Sequence, residues 1–484
     1  MTTNARINLL TFVTALLVWI SAAWFLQSPL NANAVSRMAL AIGLATEGSA
    51  VIDDYQAFTI DKALLEGHYY SDKAPGMAFM ATPVVAVVTK GLAAIGRPLE
   101  LIDGGELSWH YFWLTFLCIV MTSGLLAALA ATVLLRTALA LGVPPGGALA
   151  ATLAGALATP LFGWSTAFFG HAAAAALLFL AFAMIRDVTG RRTPDVARAA
   201  LAGALLAWAV VVEFPVAPAS ALIALYGLFR LRRWPARQTT KILVAAILGG
   251  FVAGLPLFIY NTATFGGPFS LGYQHVVGFE GMQQGFLGLT LPEPGVVVEI
   301  LFLPYRGILW LAPVLLLVPW GLARMWRQAR AEALLILGIA LYFLSFNAAY
   351  HYWDGGWSTG PRHITPILPF LALALAFTWR GGAMKGVFVA LAAVGAAISV
   401  ICASTTMTAS VEHAFPLIDQ LWPRFRDGFI GFSPAVVSLL PVKQWAALAP
   451  LAAIWILGGL LMWRLAPVQA GSGSPSARRQ HMME

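Results

Sequence analysis

Charge is scarce in this chain. Asp, Glu, Lys and Arg together make up 10% of its 484 residues, where a soluble domain carries about 25%. Hydrophobic residues make up 60%, and the mean hydropathy is +0.79. No water-soluble core of this length hides that much apolar surface, so a soluble globular protein is excluded and lipid is the implied solvent. Cysteine is nearly absent. Cys118 and Cys402 both fall inside apolar stretches, which excludes a disulfide framework and a cysteine-built metal site. HExxH, Walker and paired CxxC patterns are missing, and the polar loops hold no DxD. The sequence therefore points to no cofactor and no metal. The net charge of +8 is not a nucleic-acid signal, because the basic residues cluster between apolar runs.

What is present is a series of apolar segments long enough, or nearly so, for a hydrocarbon core of about 30 Å. An all-α polytopic membrane protein follows, with about 12 transmembrane helices near 7–26, 109–135, 145–162, 169–185, 199–213, 215–229, 241–262, 307–323, 332–348, 364–379, 386–404 and 446–464. Arg6 before the first run is also how a signal peptide starts, but no small-residue cleavage site with a soluble domain behind it appears, so the run reads as a retained helix. Basic clusters at 186–198, 230–241, 324–330 and 380–385, and Arg464, assign those connections to the cytoplasm by the positive-inside rule. Both termini then lie in the cytoplasm. Parity requires 199–229 to cross twice, with Glu213-Phe214-Pro215 as the break, because proline ends a helix at the residue before it. Parity also keeps the apolar stretch 76–95, interrupted by Pro83, from crossing. It reads as a juxtamembrane or re-entrant helix within one long extracytoplasmic loop, 27–108. Residues 1–464 form a single polytopic domain with further outer loops at 263–306 and 349–363, and 405–445 also falls outside. The Ser-, Gly- and Arg-rich stretch 465–484 reads as a disordered cytoplasmic tail.

The outer loops hold most of the acidic residues, and chemistry is expected there. The first loop contains Ile52-Asp53-Asp54-Tyr55, Asp61-Lys62 and then Gly67-His68-Tyr69-Tyr70-Ser71-Asp72-Lys73-Ala74-Pro75-Gly76. Pro75 is favoured at a helix start, and a helix N-terminus beside Lys73 suits an anion such as a lipid phosphate. The competing reading is that Lys73 pairs with Asp72 or a headgroup and only anchors the helix. Asp53, Asp54 and Asp61 are the candidate general bases, since a carboxylate within hydrogen-bond reach takes a proton from an attacking hydroxyl. Each one alone is equally a solvated loop acid. Tyr69 and Tyr70 are placed to shape a substrate pocket.

A second constellation runs from Tyr350 to His363, with Gly355, Gly356 and Gly360 allowing close backbone approach. Arg362 offers a bidentate fork for phosphate, His363 stands beside it, and Trp353 and Trp357 offer stacking faces. An interfacial aromatic belt explains the tryptophans equally well, but not an arginine and two histidines in a glycine-rich turn. His171, in Phe168-Phe169-Gly170-His171, lies at the outer end of a span, where an ionisable group is a functional candidate or a histidine bonded to a neighbouring helix. Glu213 is similar. Arg306, in Tyr305-Arg306-Gly307, either adds to a phosphate site or snorkels.

With these residues in view, the chain resembles the GT-C membrane glycosyltransferases, closest to the bacterial branch related to protein mannosyltransferases and the lipid A aminoarabinose transferase (glycosyltransferase family 39-like). Ser36-Arg37-Met38-Ala39-Leu40 resembles the family's arginine-bearing juxtamembrane helix. Glu66 to Gly76 resembles its Gly-x-x-Tyr segment and the lysine-proline turn that follows. The resemblance covers the first third of the chain by motif and the rest by topology. It implies transfer of a sugar from a polyprenyl-phosphate donor to an acceptor hydroxyl on a lipid, glycan or protein, at the outer face of a bacterial inner membrane, with Lys73 on the lipid phosphate. The chain departs from the pattern at Asn33-Ala34-Val35-Ser36, where the family carries an acid before the arginine, and near His171, where a second acid is replaced. The base is therefore expected further on, with Asp53 or Asp54 preferred. The rival class is a lipid-linked-sugar flippase or small-molecule transporter. It is disfavoured because the halves show no repeat and the polar groups gather at the outer boundary.

Overall fold

The computed structural model describes residues 2–466 apart from 192 and 441–443. The expected tail thus lies, beyond residue 466, outside the described residues. The chain is almost wholly helical. The long elements are α1 (Thr3–Ala22) and α2 (Ala32–Thr46), then, beyond a hairpin of β1 (Lys62–Leu65) and β2 (His68–Ser71), α3 (Gly76–Ala94). A second small hairpin at 102–107 leads to α4 (Trp109–Ala140). There follow α5 (Pro145–Leu157), α6 (Gly170–Gly190), α7 (Val196–Val212), α8 (Ala217–Leu231) and α9 (Ala236–Phe265). The last group is α10 (Val318–Gln328), α11 (Arg330–Ala349), α12 (Arg362–Thr378), α13 (Gly382–Thr405) and α14 (Ala449–Leu465).

Among the described residues nine helices are long and apolar enough to cross a membrane, and α5, α7 and α12 are shorter apolar helices. Setting α3 aside, these and one jointed segment match the twelve expected crossings in order. The jointed segment is the stretch expected as a crossing at 307–323. It is built from short pieces, Ile308–Leu311, Pro313–Leu317 and Val318–Gln328, because Pro313 and Pro319 lack the N–H an unbroken helix needs. The break at Glu213 is as expected: α7 stops at Val212, Phe214–Val216 make one 3-10 turn, and α8 starts at Ala217.

The outside of the bundle carries many large apolar side chains. Ile247, Val252, Ile259 and Leu457 are each more than 60% exposed, a surface that only lipid covers at low cost. The chain is therefore an integral membrane protein. Its two ends differ. Arg136 donates to Asn8 Oδ1 at 2.9 Å, and Arg186 and Arg230 both face Glu332, so the basic connections collect at one end. The first loop, the 3-10 break at 214, the 266–307 loop and the 350–361 turn collect at the other, referred to below as the site end. Between them Phe179, Phe182 and Phe370 pack ring on ring, all fully buried.

Helix α3, expected not to cross, is by length and composition one of the nine candidate spans, and it starts at the site end. Its first turn rests on the last turn of α7, with Gly76 against the Val211 and Val212 backbone. Phe79 packs edge-on to Tyr260 and beside Trp208. From there α3 runs along α2 and the first half of α4.

Helices α7 and α9 touch backbone to backbone. A Cβ at Gly203 would overlap the Ala246 carbonyl, and one at Gly249 would overlap that of Ala200. Small residues are what permit such approach in lipid, where no hydrophobic force holds helices together. Gly203→Leu is expected to force the helices apart and to cost about 1–3 kcal/mol or more, read as a lower unfolding midpoint in detergent. An unchanged midpoint would show that the contact carries no load.

Candidate active site

The β1–β2 hairpin sets the geometry. Leu65 pairs with His68 across a two-residue turn, and the turn residues Glu66 and Gly67 both have positive φ, 51° and 86°. This is the turn whose twist suits a hairpin. The register then runs Leu64 to Tyr69, Ala63 to Tyr70 and Lys62 to Ser71. One step further puts Asp61 opposite Asp72, and cross-strand neighbours lie about 5 Å apart. Lys73, the next residue, closes the gap: its ammonium is 3.3 Å from Asp61 Oδ2 and 2.8 Å from Asp72 Oδ2. Burial pulls the Lys73 ammonium down, but the two carboxylates outweigh it and hold Lys73 above its ordinary value. Burial also pushes Asp72 up to about 6 against the attraction of Lys73. Asp72 Oδ1 is buried and accepts no hydrogen bond.

Below this triad lies Arg37, 2% exposed on α2. Its guanidinium donates to Asn33 Oδ1 (2.9 Å), to the carbonyls of Ala74 (3.1 Å) and Val212 (3.4 Å), and to Glu213 Oε1 (2.9 Å). The carboxylate partner of Arg37 thus comes from the end of α7, 176 residues further on. Ser36 and Ser71 share a hydrogen bond of 2.8 Å that ties α2 to the hairpin. Glu213 leans over Gly170, where a side chain would collide with it. His171 Nδ1 is 3.7 Å from Glu213 Oε1, too far for a hydrogen bond.

Helix α12 supplies the opposite wall. The His363 ring lies 5.7 Å from that of His171 and 5.4 Å from that of Tyr350. The Arg362 guanidinium stands 5.8 Å over the Phe169 ring. Among the described residues it makes no ion pair, and its Nε and His363 Nε2 are buried without partners. Arg362, His363, Arg37 and Lys73 all lie close enough to His171 to act on it electrostatically. Buried polar groups are nearly always satisfied in a folded protein, and a group of exceptions marks a place for an absent partner.

The sequence candidates therefore separate. Asp61, Lys73, His171, Arg362 and His363 gather at one place. Asp53 and Asp54 do not join them. Asp53 sits at the turn end of the hairpin, accepting from the Tyr69 N–H (2.6 Å) and bonded to His68 Nδ1 (2.7 Å). Burial raises Asp53, but these bonds and the charge of His68 together outweigh it and hold the carboxyl below its usual range. Asp54 beside it is exposed. Tyr69 stacks under the Lys62 ammonium at 4.6 Å, and Tyr70 packs edge-on to Phe265. Trp357 is 59% exposed. Arg306 is 1% exposed and already engaged, donating to the carbonyls of Asp354 (2.9 Å), Gly356 (2.9 Å) and Tyr305 (3.2 Å). It holds the glycine turn that positions Arg362. Gly355, with φ 73°, leaves the space that the Arg362 side chain crosses.

Sequence reasoning underrated Asp72, Glu213 and Arg37. The signal available for Asp72 was the hairpin itself, two short β-prone runs around Glu66-Gly67. Nothing local marks Glu213 as the partner of Arg37.

No protein-family profile matches this chain, and no curated protein does. Among solved structures it is similar to ArnT from Cupriavidus metallidurans bound to undecaprenyl phosphate, at 17% identity and a TM-score of 0.52, over 95% of this chain and 73% of that one. It is also similar to the same protein in the apo state, at 16% identity and a TM-score of 0.49, over 96% and 74%. At such identity the likeness is one of fold, and the chain carries the polytopic helical fold of ArnT.

Proposed function

We propose that this protein is a glycosyltransferase that moves a sugar from a polyprenyl-phosphate donor to an acceptor hydroxyl on the extracytoplasmic face of a bacterial inner membrane. The site end is assigned to that face by the concentration of Arg and Lys at the other. The observation that carries the proposal is the unpaired Arg362 guanidinium beside His171 and His363, with Lys73 of the Asp61–Lys73–Asp72 triad in electrostatic reach of the same imidazole. ArnT, whose fold this chain shares, binds undecaprenyl phosphate.

The acceptor oxygen attacks the anomeric carbon of the sugar and inverts it. The bond from that carbon to the phosphate oxygen breaks, and the electron pair leaves with the polyprenyl phosphate. Arg362 lies ready for the charge that grows on the phosphate, and a preorganised cation in a dry site stabilises such a charge strongly. Lys73 adds to this from the hairpin. Asp61 takes the acceptor proton. Its side chain is 13% exposed while that of Asp72 is 2% exposed, so Asp61 is the carboxylate of the pair that an acceptor reaches. Asp72 holds Lys73 in place.

The rival, a flippase or transporter, needs a polar path across the bilayer. The stacked phenylalanines of α6 and α12 stand in its way between the two ends of the bundle.

The test uses the purified protein with labelled polyprenyl-phosphate sugars and a membrane acceptor extract. Transfer is expected, and Asp61→Asn is expected to lower its rate about 10²- to 10⁴-fold, the range of general-base catalysis, with little change in donor binding. Absence of transfer with every donor, together with sugar-lipid movement in liposomes, would establish the rival. Full activity in Asp61→Asn would remove Asp61 from the reaction.

A further inference from the structure

A second feature lies at the basic end, away from the site. Helices α7 and α8 meet near Glu213 and diverge toward their other ends. With α9 beside them and α6 behind, they enclose an apolar cavity of about 390 Å³. Its lining follows α7 from Ala199 to Val210, a length of about 16 Å at 1.5 Å per residue, or roughly one leaflet of a hydrocarbon core of about 30 Å. It opens sideways toward lipid, since Leu228 and Ile247 line it and are 47% and 68% exposed.

The basic mouth of this groove carries excess positive charge. Thr189 lines the groove, and its hydroxyl accepts from Arg230 Nε at 2.9 Å. Arg230 and Arg186 share one carboxylate, Glu332, at 3.2 and 3.4 Å. Leu231 and Ile242 close the mouth, and between them in the chain come Arg232, Arg233, Arg237 and Lys241. All four are exposed, and among the described residues none has a carboxylate partner. The chain holds no acidic residue between Glu213 and Glu280. The neighbouring arginines behave differently: Arg191 and Arg198 are neutralised by Asp187 and Asp195. A general surplus of charge accounts for basic residues at this end, and Arg324, Arg327, Arg330, Arg380 and Lys385 also lack a carboxylate partner among the described residues. What sets the groove apart is that its unpaired cations border an apolar cleft open to lipid.

We infer that the groove between α7, α8 and α9 binds an anionic phospholipid of the leaflet at the basic end. One acyl chain lies along the groove, and the headgroup phosphate lies among Arg230, Arg237 and Lys241. Basic pockets between membrane helices recognise lipids by this combination. The site is separate from the proposed transfer site, and its failure would leave that proposal untouched.

Native mass spectrometry of the full chain, released from detergent with added lipids, tests this. Phosphatidylglycerol is expected to stay bound, while phosphatidylethanolamine, neutral diacylglycerol and free glycerol phosphate are lost. Arg237→Gln with Lys241→Gln is expected to weaken retention about fivefold for each cation removed. Ala224→Trp, at an exposed residue lining the groove, is expected to abolish retention without disturbing the core. Arg230 is left intact, because its loss would leave Glu332 buried with one partner fewer. Equal retention of phosphatidylglycerol and phosphatidylethanolamine would overturn the inference, as would retention indifferent to Ala224→Trp. Competitive displacement of phosphatidylglycerol by polyprenyl phosphate would also overturn it and would assign the groove to the donor's tail.

Discussion

Arg362→Ala is expected to lower sugar transfer about 10²- to 10³-fold, the usual cost of removing one preorganised stabiliser of transition-state charge, while leaving the fold as stable as before or slightly more so. The two halves of that expectation come from one fact. The guanidinium has no carboxylate partner among the described residues, and its Nε is buried without an acceptor. A buried donor that bonds nothing costs stability, on the order of 1–3 kcal/mol, so deleting it relieves the fold. An arginine kept at that cost has a use in another state of the protein, and a bound phosphate supplies the missing acceptors in bidentate form. Arg362→Lys keeps the charge and loses the fork, so it should fall between the wild type and Arg362→Ala. Turnover measured beside the unfolding midpoint decides the matter. A large loss of stability in Arg362→Ala would make the residue structural, and wild-type turnover would remove it from the site.

Glu213→Gln is expected to do the opposite and to destabilise the protein by about 3–5 kcal/mol, the cost of breaking a buried ion pair from one side. Arg37 and Glu213 are almost sealed from solvent, with side chains 2% and 9% exposed, and the other hydrogen bonds of Arg37 go to neutral acceptors. The neutral amide therefore strands a guanidinium inside the protein. Replacing both partners, Arg37→Met with Glu213→Leu, should recover most of that stability, since a well-packed apolar pair often matches a buried ionic one. Transfer should not recover with it. Arg37 is bonded to the carbonyl of Ala74, next to Lys73, and to that of Val212, so the pair locks the hairpin and α2 to the end of α7. Unfolding midpoints of the two single variants and the double variant measure the coupling, and a double variant no more stable than either single one would refute the account.

Much of the fold was legible because lipid imposes a strong local rule. Each crossing must satisfy its own backbone within one apolar helix, and that requirement leaves its mark on a contiguous stretch of sequence. The apolar helices in their order and the break at Glu213 follow from run length and proline. The jointed segment 308–328 was less legible, since its prolines are compatible with either a kinked helix or a broken one.

The site was legible only in part. Lys73, His171, Arg362 and His363 stood out because charged and imidazole groups at helix ends in an apolar chain are rare. The carboxylate beside them was misjudged: Asp53 and Asp54, preferred from the sequence, lie apart from the cluster and Asp61 lies in it, because the three are chemically alike and near one another in the chain. Strand register made the choice: a positive-φ turn at Glu66-Gly67 sets Asp61 against Asp72 and turns Asp53 toward His68. Composition and hydropathy by themselves determined that this chain lives in a membrane and which segments are apolar enough to cross it, since burial in lipid is a property of each segment alone. Only the tertiary structure decided that Arg37 meets Glu213 and that Arg362 is left unpaired, because charge pairing depends on which distant helix ends pack together.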